Sequence, residues 1–277
     1  MKKPLINPDS EKSINSVIKN LPQSLMITGD IGIGLQTISL YIAHNRSTKP
    51  TVILPEKNDE INENDGIISV DIIRRLYQET STKNLQERIF IIDYAERMTH
   101  QAQNAFLKLL EEPGNNIHFI LLSHTTSNIL PTILSRVKHI NLKPITDKQT
   151  NTLLKEFAVT DKVKLSQLLF IASGLPAELT RLAKDENYFK RRSQIIMDAK
   201  ILVNGRLYQK LLVVQKYKDN RENALALTID VANILKKSLS GAADQEKIIN
   251  YIEKALKTYD SILANGNIRL CLSNMVV

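Results

Sequence analysis

The sequence predicts an α/β protein, a parallel sheet flanked by helices, followed by a region built of helices alone. Three observations carry that expectation. Short apolar runs alternate with helical stretches through the first half of the chain. A glycine-rich turn, Gly29-Asp-Ile-Gly-Ile-Gly34, follows the first of these runs. Beyond about residue 145 the strand pattern fades and helical spacing takes over.

Ser24 to Thr28, Thr51 to Leu54, Ile89 to Asp93 and His118 to Leu122 are the candidate strands. Most are rich in Ile, Leu, Val or Phe with little alternation, which suits strands covered on both faces. Between the last two, Ala102, Ala105, Phe106, Leu109 and Leu110 recur at helical spacing, with Thr99 as N-cap and Pro113-Gly114 as the stop. Thr146 to Leu182 reads as short helices interrupted by Gly174 and Pro176. From about Asn187 the helices lengthen. Leu227, Val231, Ile234 and Leu235 form one stripe, and Ile248, Ile252, Ala255, Leu256, Tyr259 and Leu263 another, with Asp244 and Asn265-Gly266 as limits. The expected division is a sheet domain over 1–144, a small helical unit over 145–186 and a helical domain over 187–277.

Composition narrows the function classes. A chain of 277 residues with 43% hydrophobic and 24% charged residues can bury a real core and is not a disordered tail. Cys271 is the single cysteine, so an internal disulfide is excluded and a cysteine-based zinc module is not expected. The five histidines show no metal-ligand spacing. No apolar run approaches the roughly 20 residues of a membrane helix, and no signal-type core follows Met1-Lys2-Lys3-Pro4, so a cytoplasmic protein without membrane contact is expected. The net charge of +8 makes polyanions plausible partners, but the basic residues are scattered. No Ser-His-Asp or Cys-His nucleophile is evident, and the pairs Asp93 with Glu96 and Glu111 with Glu112 read as helix and cap residues rather than paired hydrolytic carboxylates.

Met26 to Thr37 holds the first chemically suggestive pattern. A phosphate-binding loop needs glycines so that backbone N–H groups converge on the anion, a lysine for charge and a hydroxyl for magnesium. Gly29, Gly32 and Gly34 are placed for such a loop, yet Leu35 stands where the lysine belongs, Gln36 where the hydroxyl belongs, and Thr37 comes one position late. Both a vestigial nucleotide loop and a purely structural strand-to-helix turn fit. Arg88 to Glu96 offers the companion motif, an apolar strand ending in Asp93, which has the chemistry to hold magnesium. Tyr94 occupies the next position, where a carboxylate would orient attacking water, and a neutral phenol is a poor base.

Ala105-Phe-Leu-Lys-Leu-Leu-Glu-Glu-Pro113, Phe119-Ile-Leu-Leu122 and Leu130-Pro-Thr-Ile-Leu-Ser-Arg136 together resemble the core of the bacterial clamp-loader AAA+ family. Val70 to Leu76 and Asn265 to Leu272 resemble further stretches of that family, so the likeness runs from about residue 22 to the end and is weakest between 183 and 260. It implies a AAA+ P-loop-type sheet domain, a helical lid and an all-α collar through which five protomers pack.

In that family Ser-Arg-Cys places an arginine finger at a subunit boundary. Ser135-Arg136-Val137 keeps the arginine, so the resemblance implies that Arg136 reaches a nucleotide held by a neighbour. The position of the γ-phosphate sensor falls near Ser123 or His124, and Ala177 stands where ATPase members carry a sensor arginine, with Arg181 a turn later. These losses resemble the ATPase-deficient class of subunit rather than the gamma/tau motor class. An active gamma/tau-like ATPase with a divergent loop is the alternative. The implied partners are gamma/tau and delta subunits in a heteropentamer, the sliding clamp and primer-template DNA, met indirectly or through its backbone. No cofactor is required, although ATP or ADP held without turnover is compatible. The family's zinc module is not expected, because residues 38–88 lack cysteine.

Overall fold

In the computed structural model the described residues are 1–63, 66–80, 86–112, 114–157, 159, 161–239, 244–263 and 266–276. The chain divides into two compact units, Met1–Thr180 and Arg181–Val277.

The first unit opens with α1 (Pro8–Lys19), capped by the Asn7 side chain, which accepts from the Asp9 N–H. Then come β1 (Ser24–Thr28), α2 (Leu35–Asn45), β2 (Thr51–Ile53), the small hairpin of β3 (Glu56–Lys57) and β4 (Glu60–Ile61), α3 (Val70–Thr80), β5 (Arg88–Ile92), α4 (His100–Glu111), β6 (Ile117–Ser123), α5 (Pro131–Leu134) and β7 (Lys138–Asn141). The helices α6 (Asp147–Glu156) and α7 (Lys162–Ala172) follow, and α8 (Pro176–Lys184) runs across the division between the units.

The main sheet has the order β2-β5-β6-β1-β7, with every pairing parallel. Each strand alternates its side chains between two apolar layers. Met26, Phe90, Ile92, Phe119 and Leu121 face α3 and α4, where Ile73, Leu76, Phe106 and Leu109 are buried. Leu25, Ile27, Ile89, Ile91, Ile120 and Leu122 face the opposite layer, where Ile14 and Val17 of α1 and Ile38 and Ile42 of α2 are buried. Covering on both faces is why these strands read as continuous apolar runs. The expected strands stand within a residue of the observed ones. The polar edge strand β7 gave no such run, since only Ile140 of its four residues is buried.

Thr99 caps α4 as expected, its hydroxyl accepting from the Ala102 N–H. The helix ends at Glu111, and Pro113 lies outside the described residues. Thr146 and Gln149 form a capping box at α6, and positive φ at Ser173 and Gly174 turns the chain between α7 and α8.

The second unit holds α9 (Glu186–Asn204), α10 (Leu207–Tyr217), α11 (Arg221–Leu239), α12 (Gln245–Leu263) and α13 (Ile268–Val276). Their core includes Ile195, Leu202, Val214, Leu227, Val231, Leu235, Ala255, Ile262 and Leu272. Polar contacts border it: Arg192 donates to both carboxylate oxygens of largely buried Asp230 at 2.9 and 3.1 Å, and buried Asp198 accepts from Tyr217 and from half-exposed Lys216 at 2.8 and 2.6 Å. The α11 stripe is inward as expected. On α12 the buried positions are Ala255, Thr258 and Ile262, so Leu256 and Leu263 of the expected stripe lie outside the core. Asn265 lies outside the described residues.

Candidate functional site

In open parallel sheets, ligands meet the crevice at the carboxyl ends of the strands where the order switches direction. Here the chain runs from β1 to the far edge strand β2, and later crosses from β6 over β1 to β7. The loop after β1 therefore sits at the switch point, with the ends of β5 and β6 beside it.

That loop keeps glycine geometry and turns it to a different use. Gly32 and Gly34 have φ of 89° and 93°, left-handed values that side chains resist. The Gly32 carbonyl accepts from the N–H groups of Ala177 and Glu178 at 2.9 and 3.0 Å, so it caps the first turn of α8. A Cβ on Gly32 would stand 2.8 Å from the Glu178 Cβ, so the approach needs glycine. Gly29 is buried against Ile33 and Leu142.

Leu35, in the place of the lysine, is 4% exposed and joins Ile33 and Ile38 in the apolar layer. The apolar positions Ile33, Leu35 and Ile38 are the sequence signal for that packing. Gln36 and Thr37 are exposed, and no hydrogen bond among the described residues links Thr37 to Asp93.

Asp93 stands at the end of β5, buried, accepting from the Tyr94 N–H at 3.0 Å while its own N–H donates to Ile53. Burial holds its carboxyl above the usual carboxylate range, with Glu63 and Glu96 reinforcing the effect and His124 and the Tyr94 N–H opposing it. Tyr94 adopts a left-handed φ of 54°. Its phenol is pushed up to about 12 by burial and by the charges of Glu63 and Asp93, so it is no base at neutral pH. His124, at the end of β6, bonds the Gly29 carbonyl at 2.8 Å and meets the Tyr94 ring edge-on. Ser123 donates to Glu96 at 2.8 Å.

The structure thus brings Gly29, Asp93, Tyr94, Ser123 and His124 to one crevice. These residues fit a magnesium triphosphate poorly. A loop carbonyl is committed to α8, the lysine position is apolar and buried, and the carboxylates of Asp93, Glu63 and Glu96 stand near one another beside His124 and Arg97. Among the described residues, no group of three or more His, Cys, Asp or Glu is placed to hold a metal ion.

Arg136 lies elsewhere on the same unit, just after α5. Its side chain is 39% exposed, with Nη2 3.0 Å from Glu111 Oε1 and Nη1 donating to the Thr132 carbonyl. A 400 Å³ hollow lined by Glu96, His100, Gln103, Asn128 and Leu130 lies between the start of α4 and the segment leading to α5. Buried Gln103 organises that segment, donating to the Asn128 carbonyl and accepting from the Leu130 N–H at 2.8 and 2.7 Å.

Comparison with known proteins places this geometry. Residues 40–146 match the family described as DNA polymerase III, delta subunit. The chain is 29% identical over 126 residues to DNA polymerase III subunit delta' of Bacillus subtilis, covering 45% of this chain and 38% of that one. It is 26% identical over 197 residues to the delta' subunit of Haemophilus influenzae, covering 69% of this chain and 58% of that one. The matched segments thus span about two fifths and three fifths of these relatives. The crystal structure of a DNA polymerase III gamma subunit-related protein from Thermotoga maritima superposes with a TM-score of 0.59 at 20% identity, covering 96% of this chain and 97% of that one. No helix of the described residues is long and apolar enough to cross a membrane. The chain is therefore similar in sequence to the delta' subunits of bacterial DNA polymerase III and shares its fold with the gamma subunit-related protein of Thermotoga maritima.

Proposed function

We propose that the chain is a delta'-like subunit of a DNA polymerase III clamp loader, which supplies Arg136 in trans to nucleotide held by a neighbouring gamma/tau subunit and does not itself hydrolyse ATP. Its helices α6 to α8 act as the lid and α9 to α13 as the collar, and the assembly loads a sliding clamp onto primed DNA.

The observation that carries this reading is a contrast. The crevice has an apolar Leu35 for a lysine, a phenol for the water-orienting carboxylate and a loop carbonyl engaged by α8. Arg136 keeps a solvent-reachable guanidinium held by local hydrogen bonds to Thr132 and Ser135 and by a surface ion pair with Glu111, which contributes about 0–1 kcal/mol and is easily exchanged for a stronger anion. A guanidinium fork suits a phosphoryl group that is accumulating charge.

The test is reconstitution of the clamp-loader complex with wild-type chain and with Arg136→Ala, measuring DNA- and clamp-stimulated ATP hydrolysis. A fall of about 10³-fold or more at the site served by Arg136, with assembly intact, is expected. An unchanged rate would reduce the chain to a scaffold. Steady hydrolysis by the purified chain alone would favour a gamma/tau-like motor.

A further inference from the structure

The basic residues that look scattered along the sequence are unevenly shared between the two units. Met1–Thr180 carries 20 Lys and Arg against 19 Asp and Glu, and Arg181–Val277 carries 17 against 10, so nearly all of the net charge of +8 belongs to the helical second unit. Within it, several of these cations converge on one aromatic ring. Tyr251 of α12 is half-buried, its hydroxyl donating to the Leu202 carbonyl at 2.9 Å, and Lys210 of α10 has its Nζ 5.6 Å from the centre of the ring. Lys247 and Lys254 stand four residues before and three residues after Tyr251, which puts them on the same face of α12. Arg206 precedes Lys210 by four residues and shares its face at the start of α10.

The cluster keeps most of its charge. Arg206, Lys247 and Lys254 are exposed, and none of the four cations makes a salt bridge among the described residues. Asp244 lies at the same end of α12, where its carboxylate caps the helix by accepting from the Lys247 N–H at 3.2 Å. The exposed carboxylates of the helix, Glu246, Glu253 and Asp260, sit about a quarter-turn or more away from the two lysines.

Cations gathered on one surface without carboxylate partners are the footprint of a polyanion. A protein partner needs an apolar anchor at the centre of the contact, and the exposed leucines of α10, Leu207, Leu211 and Leu212, lie on a separate arc from Arg206 and Lys210. A phosphate backbone needs only donors and positive charge at its own spacing. Lys247 and Lys254 are about 10 Å apart along the helix axis, the length of about three phosphate steps on one strand of a duplex.

We propose that Arg206, Lys210, Lys247 and Lys254 form a sequence-independent site for the phosphodiester backbone of DNA, carried by the helical unit and not by the crevice of the sheet. The site stands on the charge and geometry of the second unit alone. Only the expectation that its DNA is the primed DNA of the assembly rests on the clamp-loader reading above.

The test is fluorescence anisotropy of the full chain with a labelled single strand and a labelled duplex of mixed sequence, each titrated between about 50 and about 200 mM salt. Lys210→Gln/Lys247→Gln/Lys254→Gln is expected to weaken binding to both probes at least about tenfold at low salt and to lower the slope of log affinity against log salt by about 2 to 3. Lys247→Gln/Lys254→Gln, which leaves the half-buried Lys210 in place, reproduces part of that loss. Lys12→Gln/Lys19→Gln/Lys49→Gln takes the same charge from exposed positions of the first unit and leaves the slope unchanged. Circular dichroism and thermal melts on each variant separate loss of the site from loss of the fold.

An equal loss in both triple variants overturns the proposal, because net charge and not the cluster then does the binding. So does parent affinity in the variant lacking Lys210, Lys247 and Lys254, or a failure of the unaltered chain to bind either probe at low salt. Tighter binding of polyglutamate than of either probe at matched charge gives the surface to an acidic protein and overturns it as well. The chain is tested alone, so each of these outcomes leaves the clamp-loader reading to its own reconstitution.

Discussion

Arg136 pairs with Glu111 across the gap between the end of α5 and the end of α4, Nη2 to Oε1 at 3.0 Å. Both side chains are substantially exposed, so solvent screens the pair. Glu111→Ala is expected to change unfolding free energy by less than about 1 kcal/mol in urea titrations. In the reconstituted complex it should preserve the hydrolysis rate that Arg136→Ala removes. A loss equal to that of Arg136→Ala would mean that the ion pair, and not the free guanidinium, is what the neighbour needs.

Gly32→Ala meets two obstacles at once, a φ of 89° and a Cβ 2.8 Å from that of Glu178. The substitution should destabilise the first unit by about 1–3 kcal/mol. Amide hydrogen exchange should speed up at Ala177 and Glu178, whose N–H groups lose the Gly32 carbonyl. Unchanged exchange at these two amides would refute the cap.

Leu35→Lys restores the residue type of a phosphate loop without restoring its function. The side chain is buried among Ile33 and Ile38, so a lysine there loses apolar contact and must carry its charge out of the core. A stability loss of about 2–5 kcal/mol is expected by chemical denaturation. No ATP turnover should appear, since Gln36 and Tyr94 still occupy the other two positions.

The carboxyl of Asp93 is raised by burial, so between its unfolded pKa near 4 and its folded value the native state binds more protons than the unfolded state. Stability attributable to this group therefore falls as pH rises through that window. Asp93→Asn keeps an oxygen for the Tyr94 N–H and removes the penalty. It should raise the melting temperature at pH 7 and have little effect below about pH 4, where both states of the parent are protonated. A lower melting temperature at pH 7 would show that the carboxylate has a partner that stabilises its charge.

In the second unit, Asp230→Ala takes both carboxylate oxygens away from the Arg192 guanidinium, whose side chain is only 14% exposed. A loss of about 3–5 kcal/mol is expected in calorimetry or denaturant titration. Arg192→Leu/Asp230→Leu should recover much of it, because replacing both charges removes the desolvation cost as well.

Much of the sheet was legible because β1, β5 and β6 are covered on both faces, which forces an unbroken apolar run. The hydroxyl of Thr99 and the Thr146–Gln149 box show how local chemistry sets helix starts. Strand β7 escaped because an edge strand with one buried residue has no pattern to display. Hairpin β3–β4 escaped because its strands are two residues each. On α12 the helical period was right and the phase was ambiguous. Two apolar arcs share one helix, and only packing tells which of them the bundle covers.

The residue types were set by the chain alone: no lysine after Gly34 and no carboxylate after Asp93 at the crevice, and an arginine at 136 elsewhere on the unit. Those identities set what chemistry each position can perform, because charge and proton affinity belong to the side chain. Where a group is spent depends on neighbours far along the chain. Folding decided that the Gly32 carbonyl meets the amides of α8, that Leu35 fills the core, and that Leu256 and Leu263 of α12 stay outside it. Hydrogen bonding and burial act over a few ångströms, and only the folded path brings residues 32 and 178 within that distance.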